Sequence, residues 1–236
     1  MELGEIFTDA LAYPFQNIMA LILYLVLGII LGLAVGGTAF GISAGVAAEN
    51  VFAVLGTGII GIIIALILGF VISGYQLDIV KYGINRDSSA PGIDIIRQFV
   101  NGVKLFAVQI VYYLIPIIIG AILAVIFQHW LSGLLTFIVT VVFALAASMA
   151  QCRLAKTEDI GYALAIGDAI GDISRVGFIK LLLFIIIVFV IAFVLAMIVG
   201  FIGQLNQYVG GILLGILGVY LTFFTARATG LLYSGV

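Results

Sequence analysis

The chain has 236 residues, 65% of them hydrophobic and 8% charged, with a formal net charge of −2. A water-soluble domain carries roughly 25% charged residues, so this chain has too little charge to cover a surface facing water. No basic stripe of the kind that binds nucleic acid is present, and the single cysteine, Cys152, excludes an internal disulfide or a cysteine-based metal cluster.

The N-terminus is acidic, with Glu2, Glu5 and Asp9, where a secretory signal would be basic. Residues 5–13 read as an interfacial helix ended by Pro14. The first span is placed at 17–35, within an uncharged stretch that continues to residue 48. Gly36 and Gly37 could break the helix there, leaving Thr38 to Ala48 as a re-entrant or surface segment. Further spans are placed at 51–72, 103–127, 131–150, 178–202 and 209–228, each near the roughly 20 apolar residues that cross a bilayer. Between them, Ile93, Ile96, Phe99, Val100 and Val103 recur at helical spacing opposite Asp94, Arg97, Gln98 and Asn101. Ile166, Ile170 and Ile173 do the same opposite Asp168, Asp172 and Arg175. Residues 92–102 and 161–176 are therefore expected as two more interfacial helices.

The basic residues follow the spans. Lys81, Arg86, Arg97 and Lys104 lie in one connection, Arg153, Lys156, Arg175 and Lys180 in another, and Arg227 near the C-terminus. The alternate connections hold none, and Glu49 is their only acidic residue. The positive-inside rule makes the basic side cytoplasmic. The expected fold is thus an all-α integral membrane protein of the cell membrane: six transmembrane helices, cytoplasmic interfacial amphipathic helices and both termini inside. Trp130 and Tyr208 fall at the outer headgroup level. The two basic connections resemble a repeat, with Asp94, Arg97, Gly102, Lys104 and Leu105 answered by Asp172, Arg175, Gly177, Lys180 and Leu181. Such a repeat would be a parallel one about an axis along the membrane normal.

No ionisable residue falls in the middle third of a span, which argues against a proton-coupled pump or a voltage sensor. His129 is the only histidine, so neither a histidine zinc site nor a Ser/His/Asp triad can be assembled; no metal, cofactor or catalytic residue is expected. Three feature sets remain. Gly28, Gly32 and Gly36, then Gly37, Gly41 and Gly45, and Gly211 with Gly215, form ladders at four-residue spacing. They suit close helix packing, either within one subunit or across a homo-oligomer. Tyr24, Gln109, Tyr112, Tyr113 and Tyr220 are polar groups inside spans, and Pro116 would kink the third. They would line a polar cavity or simply hydrogen-bond between helices. Lys81, Arg86, Arg97, Lys104, Arg153, Lys156, Arg175 and Lys180 are candidate contacts for anionic lipid headgroups. Asp94–Arg97 and Asp172–Arg175 have the spacing to pair along their own helices instead.

Short motifs run through most of the chain: Tyr13-Pro14-Phe15, Gly74-Tyr75, Gly102-Val103-Lys104-Leu105, Lys156-Thr157-Glu158, Gly161-Tyr162-Ala163, and Arg227 to Tyr233 at the end. Together they resemble an uncharacterised, largely archaeal multi-pass membrane family, number 4013 among the domains of unknown function. The resemblance implies an archaeal plasma membrane and a multi-span fold, and supplies no catalytic or ligand residues. The layout is also distantly similar to the membrane domain attached to some glycerophosphodiester phosphodiesterases, whose activity does not carry over without their catalytic domain. The functional expectation is a non-enzymatic membrane scaffold or interaction protein, with membrane lipids and a second copy as candidate partners. A carrier or channel for a lipid or small neutral solute is the alternative, and a lipid-modifying enzyme the third.

Overall fold

The computed structural model describes residues 1–127, 130–205 and 207–236. At Leu33, Gly36, Gly203, Leu205, residues 207–212, Leu214 and Gly215 it describes the backbone only. The helices are α1 (Leu3–Gln16), α2 (Ile18–Ala47), α3 (Val51–Ile84), α4 (Ile95–Ile126), α5 (Trp130–Thr157), α6 (Ile160–Ala163), α7 (Ile166–Val176), α8 (Phe178–Leu205) and α9 (Gln207–Tyr233). No strand occurs among the described residues. Six helices are long and apolar enough to cross a membrane: α2, α3, α4, α5, and the Phe178–Ile202 and Ile216–Tyr233 portions of α8 and α9.

Length explains where the charges sit. Helix α3 has 34 residues, about 51 Å at 1.5 Å per residue, against a hydrocarbon core of about 30 Å. An apolar run starting at Val51 fills that core well before Asp78 and Lys81 are reached. Hydrogen bonds place the charged ends of the other helices beside them: Lys104 Nζ donates to the Glu158 carbonyl at 2.8 Å and Lys180 Nζ to the Met1 carbonyl at 2.9 Å. Arg86 Nε donates to Ser234 Oγ at 3.2 Å. All nine basic residues and both termini thus share one end of the bundle.

At that end α3, α5 and α9 contact one another and form the centre. Helix α4 packs on α3 and α5, α2 on α3 and α9, α1 on α9, α7 on α5, and α8 on α9. The core is correspondingly one-sided. Apart from Gly58 and Gly61, which face α2, the buried residues of α3 run from Val71 to Gly83, and those of α5 from Leu145 to Ala155. Beyond Pro116, α4 buries none. The opposite halves of these three helices present their apolar side chains outward.

Glycines set the closest crossings. A Cβ on Gly74 would strike the backbone of Gln98, and one on Gly102 the backbone of Phe70, so α3 and α4 touch main chain to main chain. Gly83 and Gly230 do the same for α3 and α9, the Cβ of one lying 2.8–2.9 Å from the Cα of the other. Such approaches supply the dispersion contacts that hold helices together where lipid offers no hydrophobic drive.

Several boundaries differ from those expected. Helix α2 is unbroken from Ile18 to Ala47, so the re-entrant reading of residues 38–48 is corrected. Inside hydrocarbon an interrupted helix would strand backbone groups, and Gly41 and Gly45 serve instead to seat Thr57 and Val54 of α3. Residues 92–102 and the third span merge into α4, whose first turn is capped by the Asp94 carboxylate accepting from Arg97 N at 3.0 Å. Residues 161–176 divide into α6 and α7. Helix α1 carries Pro14 within its last turn and ends at Gln16.

Candidate functional site

Among the described residues, six charged or amide side chains are buried: Asp78, Gln98, Asn101, Arg153, Asp172 and Arg227. Charges at such positions require partners, and each of the three central helices carries a buried charge that is ion-paired. On α3, Asp78 receives both Arg97 guanidinium nitrogens at 2.8 Å, plus Gln98 Nε2 at 3.1 Å. On α5, Arg153 donates to Asp172 and to Asp168, each at 3.1 Å, and to the Tyr162 carbonyl at 3.0 Å. Tyr233 Oη reaches the same Asp172 oxygen at 2.7 Å, and Arg175 takes the other at 3.0 Å. On α9, Arg227 pairs with Asp9 of α1 at 2.7 Å, bonds the Asp87 carbonyl and lies over the Tyr13 ring.

The first two pairs have a common plan. Each spans 19 residues of sequence, and a single shift of the chain lays Asp78 on Arg153, Lys81 on Lys156, Arg97 on Asp172 and Gly102 on Gly177. Aligned on these ion pairs, the two segments fall in a different register from the one the Asp-x-x-Arg motif suggests, with the charges of the pair exchanged. The two segments differ at the aligned glycine. Gly102 stays helical inside α4, whereas Gly177 adopts φ +99° and separates α7 from α8.

The two copies meet at Glu158. It ends α5 at φ +57°, a left-handed conformation unusual for a side chain with a Cβ. Its carboxylate accepts from Lys81 Nζ at 2.9 Å and Arg97 Nη1 at 3.3 Å, while its carbonyl accepts from Lys104. The Lys81 hydrogen bond, with Asn101 and the Arg97 charge assisting against desolvation, holds the Glu158 carboxyl below its ordinary range. Arg97, Asn101 and Lys104 lie at i, i+4 and i+7, one stripe of α4. Among the described residues, Asn101 Nδ2 is a buried polar atom with no hydrogen-bond partner. Nearby, the loop after α3 is pinned to α1: Tyr13 Oη donates to Ser89 O at 3.2 Å and Asn17 Nδ2 to Ser88 O at 3.0 Å. Burial raises the Tyr13 hydroxyl pKa, and hydrogen bonds from Ser89 lower that of Asp87.

The model of the family described as Protein of unknown function (DUF4013) matches residues 57–204. The chain belongs to this family. No curated protein and no solved structure matches it. The DUF4013 match runs from within α3 to the end of α8, taking in both copies of the repeat and Glu158 and leaving the Asp9–Arg227 pair outside.

The polar groups expected to line one cavity in this DUF4013 protein do not converge. Tyr24 stacks on Tyr75 with centroids 3.9 Å apart and its Oη lies 3.4 Å from Gln98 Oε1. Tyr112 donates to the Ala163 carbonyl at 2.9 Å, Tyr220 to the Leu11 carbonyl at 2.9 Å, and Tyr113 is exposed. Gln109 lines a lateral groove of about 190 Å³ between α3 and α4, with Ser73, Gly69, Gly102 and Phe106. Pro116 is buried within α4, which continues past it.

Of the glycines, Gly28 lies against Val219, Gly41 against Thr57 and Gly45 against Val54, whereas Gly32 and Gly37 have nothing within 4 Å. The surroundings of Gly36, Gly211 and Gly215, and the side chain of Tyr208, lie outside the described residues, as does His129. Of the expected lipid contacts, Arg153 is corrected: it is sealed between Asp172 and Asp168. Arg97 is half-buried on Asp78, because desolvating that carboxylate on α3 demands a bidentate partner. Lys81, Lys104, Arg86, Lys156, Arg175 and Lys180 hold protein oxygens at distances of 2.8–3.4 Å. Asp78, Glu158, Asp9 and Tyr233 escaped the sequence reading because their partners are set by helix crossings. The α4 stripe of Arg97, Asn101 and Lys104 was the one signal that spacing could have offered.

Proposed function

We propose that this protein is a non-enzymatic membrane scaffold or interaction protein, with its basic end facing the cytoplasm and lipids and a second copy or another membrane protein as partners. The observation that supports this is the one-sided core: ion pairs and the main-chain crossings at Gly74, Gly102, Gly83 and Gly230 fix one end, while in the far halves of α3, α4 and α5 most large apolar side chains stay exposed for other helices. A rigid base with open helical faces suits association, since helix surfaces in lipid bind through packing. Extraction in native-lipid nanodiscs followed by native mass spectrometry tests the reading. A second copy or a defined protein partner is the expected result, and a monodisperse monomer with no partner would overturn it. A carrier of lipid or small neutral solute is the second reading, favoured by the lateral α3–α4 groove bearing Gln109 and Ser73. In that case Gln109→Ala weakens retention of a co-purified lipid or solute.

A further inference from the structure

Lys81 from α3 and Arg97 of α4 hold the Glu158 carboxylate, Asn101 lies beside it, and Lys104 holds the Glu158 main-chain carbonyl; the residue they gather around is in a conformation it does not favour. Glu158 sits at φ +57°, where glycine would be at ease. Its side chain is 30% exposed, so it can leave without unpacking the core. The donors left behind would be the Lys81 ammonium, a guanidinium edge and the Asn101 amide, with the Lys104 ammonium next to them on the Glu158 carbonyl. Arg97 retains Asp78 and, more loosely, Asp94 at 3.9 Å, so it stays anchored. Asn101 is 2% exposed, and its Nδ2 lies near enough to Glu158 to help hold that carboxyl low while meeting no acceptor at full hydrogen-bond geometry. A carboxylate has two oxygens to share among these donors, and a phosphate has more acceptors and a tetrahedral spread.

We propose that Lys81, Arg97, Asn101 and Lys104 form a phosphate-recognition site, in which the Glu158 carboxylate is an internal anion that an incoming phosphate group displaces. The site rests on the membrane reading above, which places it near the headgroup level, where lipid phosphates are concentrated; free phosphate shares the chemistry. Because Glu158 also closes α5 against α3 and α4, occupancy exchanges a contact between the two repeat copies for one to the ligand.

The test is a titration of the full-length chain in detergent with dioleoylphosphatidylglycerol, read by native mass spectrometry, with and without millimolar inorganic phosphate. Glu158→Gln should bind about tenfold more tightly, Lys104→Ala about tenfold more weakly and Asn101→Leu severalfold more weakly, the scale of one charge-assisted hydrogen bond. Glu158→Gly keeps the left-handed turn and should show the same gain as Glu158→Gln. Arg86→Ala, a basic residue of the same end outside the stripe, should change binding less than twofold. Competition by inorganic phosphate would assign the site to phosphate in general, and its absence to the lipid headgroup. Either result supports the site if the Glu158 gain is present. No gain in either Glu158 variant, or an Arg86→Ala loss equal to that of Lys104→Ala, would overturn it. The titration is read on the monomer, so it stands apart from whether a second copy or partner binds.

Discussion

Arg153 shows what burial asks of a single residue. Its guanidinium is 2% exposed and is satisfied by two carboxylates, a carbonyl and the Tyr162 ring at 3.8 Å. Such a pair stabilises little relative to an apolar replacement, yet breaking it from one side strands the other charge. Arg153→Met should therefore lower stability by about 3 kcal/mol, leaving Asp172 with Tyr233 and the exposed Arg175. The double variant Arg153→Met/Asp172→Leu should recover most of that loss. Thermal unfolding of the four proteins in one detergent measures the coupling, and equal losses in the single and double variants would show that the pair is not the coupled unit.

Among the elements, the α3–α4 crossing is decided by two glycines that form no ladder. Gly74 and Gly102 sit on different helices and each meets the other helix's backbone, so an added methyl cannot be absorbed by a side-chain rotation. Gly74→Ala and Gly102→Ala should each destabilise by about 2 kcal/mol, the scale of overpacking. Gly32→Ala and Gly37→Ala, with open space around them, should be neutral or slightly stabilising because alanine favours helix. Melting temperatures of the four variants check this, and equal costs at both pairs of sites would contradict it. The ladders were conspicuous in the sequence because spacing alone defines them. The crossing glycines were not, since nothing in a linear pattern says which helix lies across which.

For the whole molecule, the segregation of charge to one end is the dominant fact. The reading of that end as cytoplasmic predicts that reporters fused at both termini are active only inside the cell. It also predicts that Trp130→Cys, at the exposed start of α5, is labelled from outside by a membrane-impermeant maleimide. The native Cys152 is buried and should stay unlabelled, giving a clean background. Termini on opposite faces, or both outside, would refute the orientation.

Local composition settled the class of this protein. A spanning helix satisfies its own backbone and declares itself by about 20 apolar residues, so six helices and the sidedness of Lys81 through Arg227 could be read without knowing a single contact. The tertiary structure decided the pairings. Asp78 with Arg97, Arg153 with Asp172, and Asp9 with Arg227 across nearly the whole chain depend on which helices end side by side. The equal 19-residue spacing of the first two pairs was hidden too, because a motif search matches like residues whereas an ion pair keeps its energy when both signs reverse. Glu158 among Lys81, Arg97 and Lys104 belongs to the same class: a site assembled by three helix ends, visible only once they are brought together.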